Sequence, residues 1–128
     1  QRGGRPLIED QRFREKIAEV EIELKALEIT QLRVIAGEKK REKGKPDPAS
    51  SVLKIKGSEL QQATTELMMD VIGPFAAPYD AGENEGSNEV EDWTQQIAPN
   101  YFNYRKLSIY GGSNEIQRNI IAKAVLGL

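Results

Sequence analysis

From about Leu7 to Lys43 the chain carries no proline, and Phe13, Ile17, Val20, Leu24, Leu27 and Val34 recur at steps of three and four, with Gln31 interrupting the stripe. That spacing predicts a helix about 50 Å long at 1.5 Å per residue. A second stripe of Ile22, Ile29 and Ala36 lies beside the first and widens the apolar face, which suits packing against more than one neighbour. Acids at Glu9, Asp10, Glu15 and Glu19 precede bases at Lys39, Lys40, Arg41 and Lys43, the polarity the helix macrodipole favours. Gly44 and Pro46 then stop the helix. Asp47-Pro48 offers a capping side chain followed by proline at the first helical position, and Leu53, Leu60, Leu67 and Val71 mark a second helix that ends at Gly73-Pro74.

Two long helices joined by a short turn make an antiparallel hairpin. Residues 74–98 lack periodicity, contain Gly82 to Asn88 as a polar run, and read as a mobile loop. Pro99-Asn100 opens a shorter helix through about Tyr110, Gly111-Gly112 breaks it, and Ser113-Asn114 can cap a last helix from about Glu115 to Leu126. No strand signal remains. The expectation is one all-α domain over 1–128, an up-and-down helix bundle with one long hairpin and two shorter helices.

Composition narrows what such a bundle can do. Charged residues make up 30% of the 128 residues and nearly cancel to a net charge of -2, so no basic face for nucleic acid is expected. The sequence holds neither cysteine nor histidine, which removes thiolate nucleophiles, most zinc sites and imidazole acids or bases. No metal site is expected. Absence of cysteine fits a reducing cytoplasm, and no apolar run approaches the roughly 20 residues that cross a bilayer, so neither membrane nor nucleic acid is an expected partner. With Gln1 first and no initiator Met, the start reads as a cut within a longer chain.

The segment Ser108 to Arg118 is the most informative. Paired glycines between helices can serve backbone geometry alone. They also let a ligand approach the main chain, where free N–H groups and a hydroxyl at a helix start suit a phosphate or a developing oxyanion. Ile109 to Arg118 resembles the C-terminal signature of acyl-CoA dehydrogenases, Ile-Tyr-Glu-Gly-Thr-Asn-Glu-Ile-Gln-Arg, and Ile120-Ile121-Ala122-Lys123 and Leu126 continue it. Gly4-Arg5-Pro6-Leu7 is similar to the family's segment before the long helix, and Tyr101-Phe102-Asn103 with Arg105-Lys106 look most like large subunits of pimeloyl-CoA-type dehydrogenases.

The resemblance implies α,β-dehydrogenation of an acyl-CoA thioester: a carboxylate removes the α proton, and the β hydrogen leaves as hydride to FAD. It places Tyr110, Gly111 and Gly112 at the substrate, with the Gly111 N–H at the thioester carbonyl, and Ser113 and Glu115 at the cofactor. Gly73 is the one position kept from the family's Gln-Ile-Phe-Gly-Gly, whose main chain meets a neighbouring subunit's FAD; Pro74 removes a donor there. Arg2 takes no flavin role. Glycine at 111 replaces the family's catalytic Glu, so no catalytic residue is expected in this segment. The base would then lie outside it, or the protein would be a non-catalytic subunit.

The implied partners are an acyl-CoA and an electron acceptor, with FAD held only by a longer protein and the segment inactive alone. A homo-oligomer or a heteromer is expected, formed through an apolar strip beside Ile22, Ile29 and Ala36. The competing class is a non-enzymatic helical scaffold. Remaining features carry bland readings: Arg105 and Lys106 as helix-dipole partners, Trp93, Tyr101 and Phe102 as fillers beneath the loop, and Glu38 to Lys45 as a solvated helix end.

Overall fold

The computed structural model describes residues 4–38, 47–76 and 94–128, and the elements they form are helices as expected. Helix α1 spans Gln11–Glu38, α2 Pro48–Ile72, α3 Ile97–Tyr104 and α4 Asn114–Ile121. No helix among the described residues is long and apolar enough to cross a membrane.

The first helix starts later than its periodicity predicts. Leu7–Glu9 form a separate 3-10 turn, and Asp10 interrupts it because its carboxylate accepts the Phe13 N–H at 3.0 Å and caps α1. The stop signals at Gly44 and Pro46 and the bases Lys39 to Lys43 lie outside the described residues. Asp47 caps α2 as expected, accepting the Ala49 N–H at 2.8 Å ahead of Pro48. Gly73 ends α2 at φ +61, after which Gly73–Ala76 make a 3-10 turn through Pro74.

Of the loop expected over 74–98, residues 77–93 lie outside the described residues, Trp93 among them. Helix α3 begins at Ile97, two residues before Pro99. A proline this close to the start is tolerated because first-turn N–H groups have no helical acceptor. The 3-10 turn Arg105–Ser108 prolongs α3, while a π-helical turn at Ala122–Leu126 prolongs α4 to Gly127 at φ +70.

Helix α2 is the hub. Lys16 of α1 pairs with its Asp70 at 2.6 Å and Glu23 with its Lys56 at 3.1 Å, so the two long helices run antiparallel. Helix α2 also receives α3 and α4. Its buried positions are Ser51, Ile55, Ser58, Leu60, Thr65 and Ile72, which corrects the expected stripe: Leu53 and Leu67 are half-buried and Val71 is exposed. Ser51, Ser58, Thr65 and Ile72 recur every seven residues. The Ser58 and Thr65 hydroxyls each bond a carbonyl three residues back, at 2.8 Å, which satisfies them locally and lets neighbours approach closely.

On α1 only Val34 of the expected stripe is buried, and Leu24 is exposed. Ile22, Ile29 and Ala36 are exposed, as are Leu32 and Ile35. Phe102 is no filler: it is exposed and meets the half-buried Tyr101 edge to face at 5.3 Å. Arg105 is more than a dipole partner, because its guanidinium bonds Glu66 at 2.8 Å, the Gln62 carbonyl at 3.1 Å and the Thr65 hydroxyl at 3.3 Å, fastening the end of α3 to α2.

Candidate functional site

Buried Leu107 is the last apolar anchor before the corner, and the chain then turns outward through exposed Ile109 and Tyr110. Gly111 and Gly112 follow at φ +67 and +82. Two consecutive left-handed residues reverse the chain in a conformation that costs an L-residue about 1–2 kcal/mol each. At Gly111 a Cβ would meet nothing within 4 Å, so conformation alone requires glycine there. At Gly112 it would lie 2.7 Å from the Gln117 amide nitrogen, which itself reaches the Gly111 carbonyl at 3.4 Å. The N–H groups of Gly111 and Gly112 take no hydrogen-bond partner among the described residues.

Ser113, extended at φ -61 and ψ 159, is the N-cap of α4 and accepts the Ile116 N–H at 3.4 Å. The exposed Glu115 carboxylate lies below the usual range. Its own main-chain N–H is the first cause and the Ser113 hydroxyl the second, with attraction from Arg118 and Lys54 added. Arg118 in turn bridges Glu115 at 3.7 Å and Glu59 of α2 at 3.3 Å.

Asn114 is the residue that periodicity and capping rules did not single out beyond a cap. It is 5% exposed, and its side chain meets Lys54 at 2.7 Å and Ser58 at 3.1 and 3.2 Å. Beside it an open groove of about 220 Å³ runs between α2 and the corner, lined by Lys54, Gly57, Gln61, Leu107 and Tyr110 among others.

The structure therefore brings Tyr110, Gly111, Gly112, Ser113 and Glu115 together, but not Gly73. From Ser58 to the end of α2 is about 21 Å along the axis. Gly73 adjoins the other end of the bundle, where Leu7, Asp10, Phe13, Lys16 and Asp70 line a second cleft of about 250 Å³. No group of three or more Asp or Glu side chains suited to a metal ion forms among the described residues.

An antiparallel helix pair carrying two shorter helices, joined by a Gly-Gly corner whose main-chain donors have no partner among the described residues, defines an all-α domain. The chain matches the family described as acyl-CoA dehydrogenase, C-terminal domain, over residues 1–126, and belongs to it. It is 34% identical over 120 residues to acyl-CoA dehydrogenase IpdE1 of Mycobacterium tuberculosis, covering 94% of this chain and 28% of that protein. A protein of the same name from Mycolicibacterium smegmatis is 48% identical over 63 residues, which is 49% of this chain and 14% of the relative. The chain thus spans under a third of either relative. No solved structure matches it.

Proposed function

We propose that this chain forms the substrate- and flavin-facing corner, and an assembly surface, of a longer FAD-dependent acyl-CoA dehydrogenase, and that alone it neither holds FAD tightly nor dehydrogenates acyl-CoA. The observation that carries the proposal is the pair of N–H groups at Gly111 and Gly112, without a partner among the described residues, on an exposed turn with open space over Gly111. Main-chain donors of this kind suit a thioester carbonyl oxygen, on which negative charge grows as the α proton departs. Tyr110, on the lip of the adjoining groove, would wall the acyl thioester.

Bound FAD supplies the hydride acceptor. The residues present fit one edge of such a cofactor: Ser113 and Glu115 place a hydroxyl and an ionised carboxylate at one helix start, and no side chain obstructs Gly111. Gly73 remains a proposed main-chain contact to cofactor held by a neighbouring copy. None of these groups is suited to removing the α proton. Gly111 has no acceptor, and the depressed pKa of Glu115 makes it a weak base. The chain's own part is to orient and polarise, with the base supplied from elsewhere in the protein.

The lack of a carboxylate at Gly111 also favours a second reading, a non-catalytic subunit of a heteromeric dehydrogenase. A purely helical scaffold leaves the free donors of the corner without a role. We extend the proposal to a cytoplasmic protein, in keeping with a cysteine-free sequence, and to self-association or a heteromeric contact through the exposed α1 strip of Ile22, Ile29, Leu32 and Ala36.

The test is to add FAD and a panel of saturated acyl-CoAs to the chain and follow flavin bleaching, then repeat with a longer flavoprotein that carries it. Turnover is expected only in the second case, and robust turnover by this chain alone would sink the proposal. In that flavoprotein Ser113→Ala is expected to weaken flavin retention by about 0.5–1.5 kcal/mol. Unchanged FAD affinity with a lower melting temperature would reduce Ser113 to a cap.

A further inference from the structure

We propose that Asn114 is the positioning residue of the Gly111–Ser113 corner, holding it to α2 by hydrogen bonds to Lys54 and Ser58 rather than by apolar packing. The inference rests on the reading of that corner as the substrate-facing element. Between Leu107, 7% exposed, and Asn114, 5% exposed, no residue is buried: Ile109 and Tyr110 are 69% and 54% exposed, and both glycines are open to solvent. Glycine imposes little on its own dihedrals, so the conformation of the turn is dictated by the fixed points on either side of it. On one side that point is an apolar anchor. On the other it is polar.

The proton arrangement makes this contact directional. The Lys54 ammonium can only donate, so the oxygen 2.7 Å away must be Asn114 Oδ1, which leaves Nδ2 facing Ser58 Oγ at 3.1 Å. The Ser58 hydroxyl donates to the Ile55 carbonyl at 2.8 Å and is free to accept from Nδ2. A flipped amide would set its NH2 against the ammonium. One rotamer of one side chain therefore fixes where α4 begins, and with it Ser113 and the two glycine N–H groups just before it. Inside a site shielded from water such a network is stronger than at a surface.

Hydrogen exchange on the whole 128-residue chain tests the contact without reference to flavin. In Asn114→Leu, which keeps the volume and loses the bonds, the hydrogen-bonded amides flanking the corner, Ile109 and Tyr110 before it and Ile116 and Gln117 after it, should exchange about tenfold faster, as loss of a bond to a charged donor implies, with α1 unchanged. Asn114→Asp should restore the original rate, since it keeps an acceptor for Lys54 and lets the Ser58 hydroxyl turn toward it. Lys54→Met and Ser58→Ala, each removing one branch, should give smaller accelerations and serve if the Leu variant does not fold. Original rates in all three single-branch and Leu variants, or acceleration spread evenly through the bundle, would overturn the proposal.

In a longer flavoprotein that carries the chain, Asn114→Leu should lower kcat about tenfold with KM within about twofold, because the donors act mainly on the charged transition state. A matching loss in thermal stability with kcat unchanged would make Asn114 purely structural. If the wild-type flavoprotein shows no dehydrogenation at all, the functional reading fails while the exchange result still decides how the corner is held.

Discussion

Replacing Arg105 by Lys keeps the positive charge at the end of α3 and removes the fork, so it separates a point charge near a helix dipole from a cross-helix fastening. The Glu66 ion pair, at 2.8 Å with side-chain exposures of 35% and 57%, contributes about 0.5 kcal/mol after screening. The bond from Nη2 to the Gln62 carbonyl at 3.1 Å is half-buried and comes from a charged donor, so its loss costs about 1.5 kcal/mol. The guanidinium also lies 4.4 Å from the Tyr101 ring centroid, worth about 0.5 kcal/mol more than an ammonium there. Against these stands Nε, buried without a partner among the described residues, which costs the native chain about 1 kcal/mol and has no counterpart in lysine.

The net expectation for Arg105→Lys is a loss of about 1–2 kcal/mol, and for Arg105→Ala, which also loses stem packing, about 2–3 kcal/mol. Urea unfolding at neutral pH, with the slope unchanged, measures both. For a chain of this size the Lys variant should melt about 4–8 °C lower. Glu66→Gln is expected to cost under about 0.5 kcal/mol, since the exposed ion pair is the weakest part. If Arg105→Lys unfolds with the native midpoint, the fork contributes nothing and the dipole account suffices.

Asp47→Ala should cost about 1 kcal/mol through loss of the α2 cap, read from the same urea curves, with Asp47→Ser recovering most of it. Glu115 should titrate below the usual glutamate range in a carboxyl NMR titration; since its folded pKa is depressed, its stabilising contribution is present above the unfolded value and lost as pH falls through the folded one. Glu115→Gln should remove that part of the acid dependence, and Ser113→Ala should move the Glu115 pKa back upward. Gly111→Ala, with space for its methyl but φ +67, should destabilise by about 1–2 kcal/mol in thermal unfolding; no change would show that the corner relaxes to ordinary dihedrals.

Local signals were legible where a side chain acts on its own backbone. Asp47-Pro48, Gly73, Gly111-Gly112 and Ser113 all sit where capping and turn rules put them. The start of α1 was less so, because Leu7 continues the apolar period while Asp10 offers a competing cap, and the cap prevails. Periodicity misjudged α2 for a different reason. An apolar stripe identifies the face buried against one neighbour, whereas α2 is packed on several sides, so small hydroxyl residues at Ser51, Ser58 and Thr65 are buried ahead of Leu53 and Val71. The Ser58 and Thr65 hydroxyls bond their own helix, which leaves no trace in a hydropathy pattern. Asn114 shows the same limit in the candidate site: Ser113 is the cap, and the partners of the Asn114 side chain lie 56 and 60 residues away. The seven-residue recurrence of Ser51, Ser58 and Thr65 is a sequence signal that could have marked that seam.

These observations link assembly to the corner. Among the described residues the buried apolar ones are few, namely Val34, Ile55, Leu60, Ile72, Ile97 and Leu107, and none of these is completely enclosed, while Ile22, Ile29, Leu32 and Ile35 on α1 and Ile116, Ile120, Val125 and Leu126 around α4 face outward. Apolar packing among the described residues is therefore modest, and the docking of α3 and α4 onto α2 leans on polar fastenings at Arg105, Asn114 and the Glu59–Arg118 pair. Such fastenings strengthen as water is excluded from them. A partner surface laid over the outward apolar residues of α4 would shield the same helix whose first residue is Asn114. We expect such a cover to shield the Asn114 contacts as well, and so to stiffen the turn at Gly111 and Gly112.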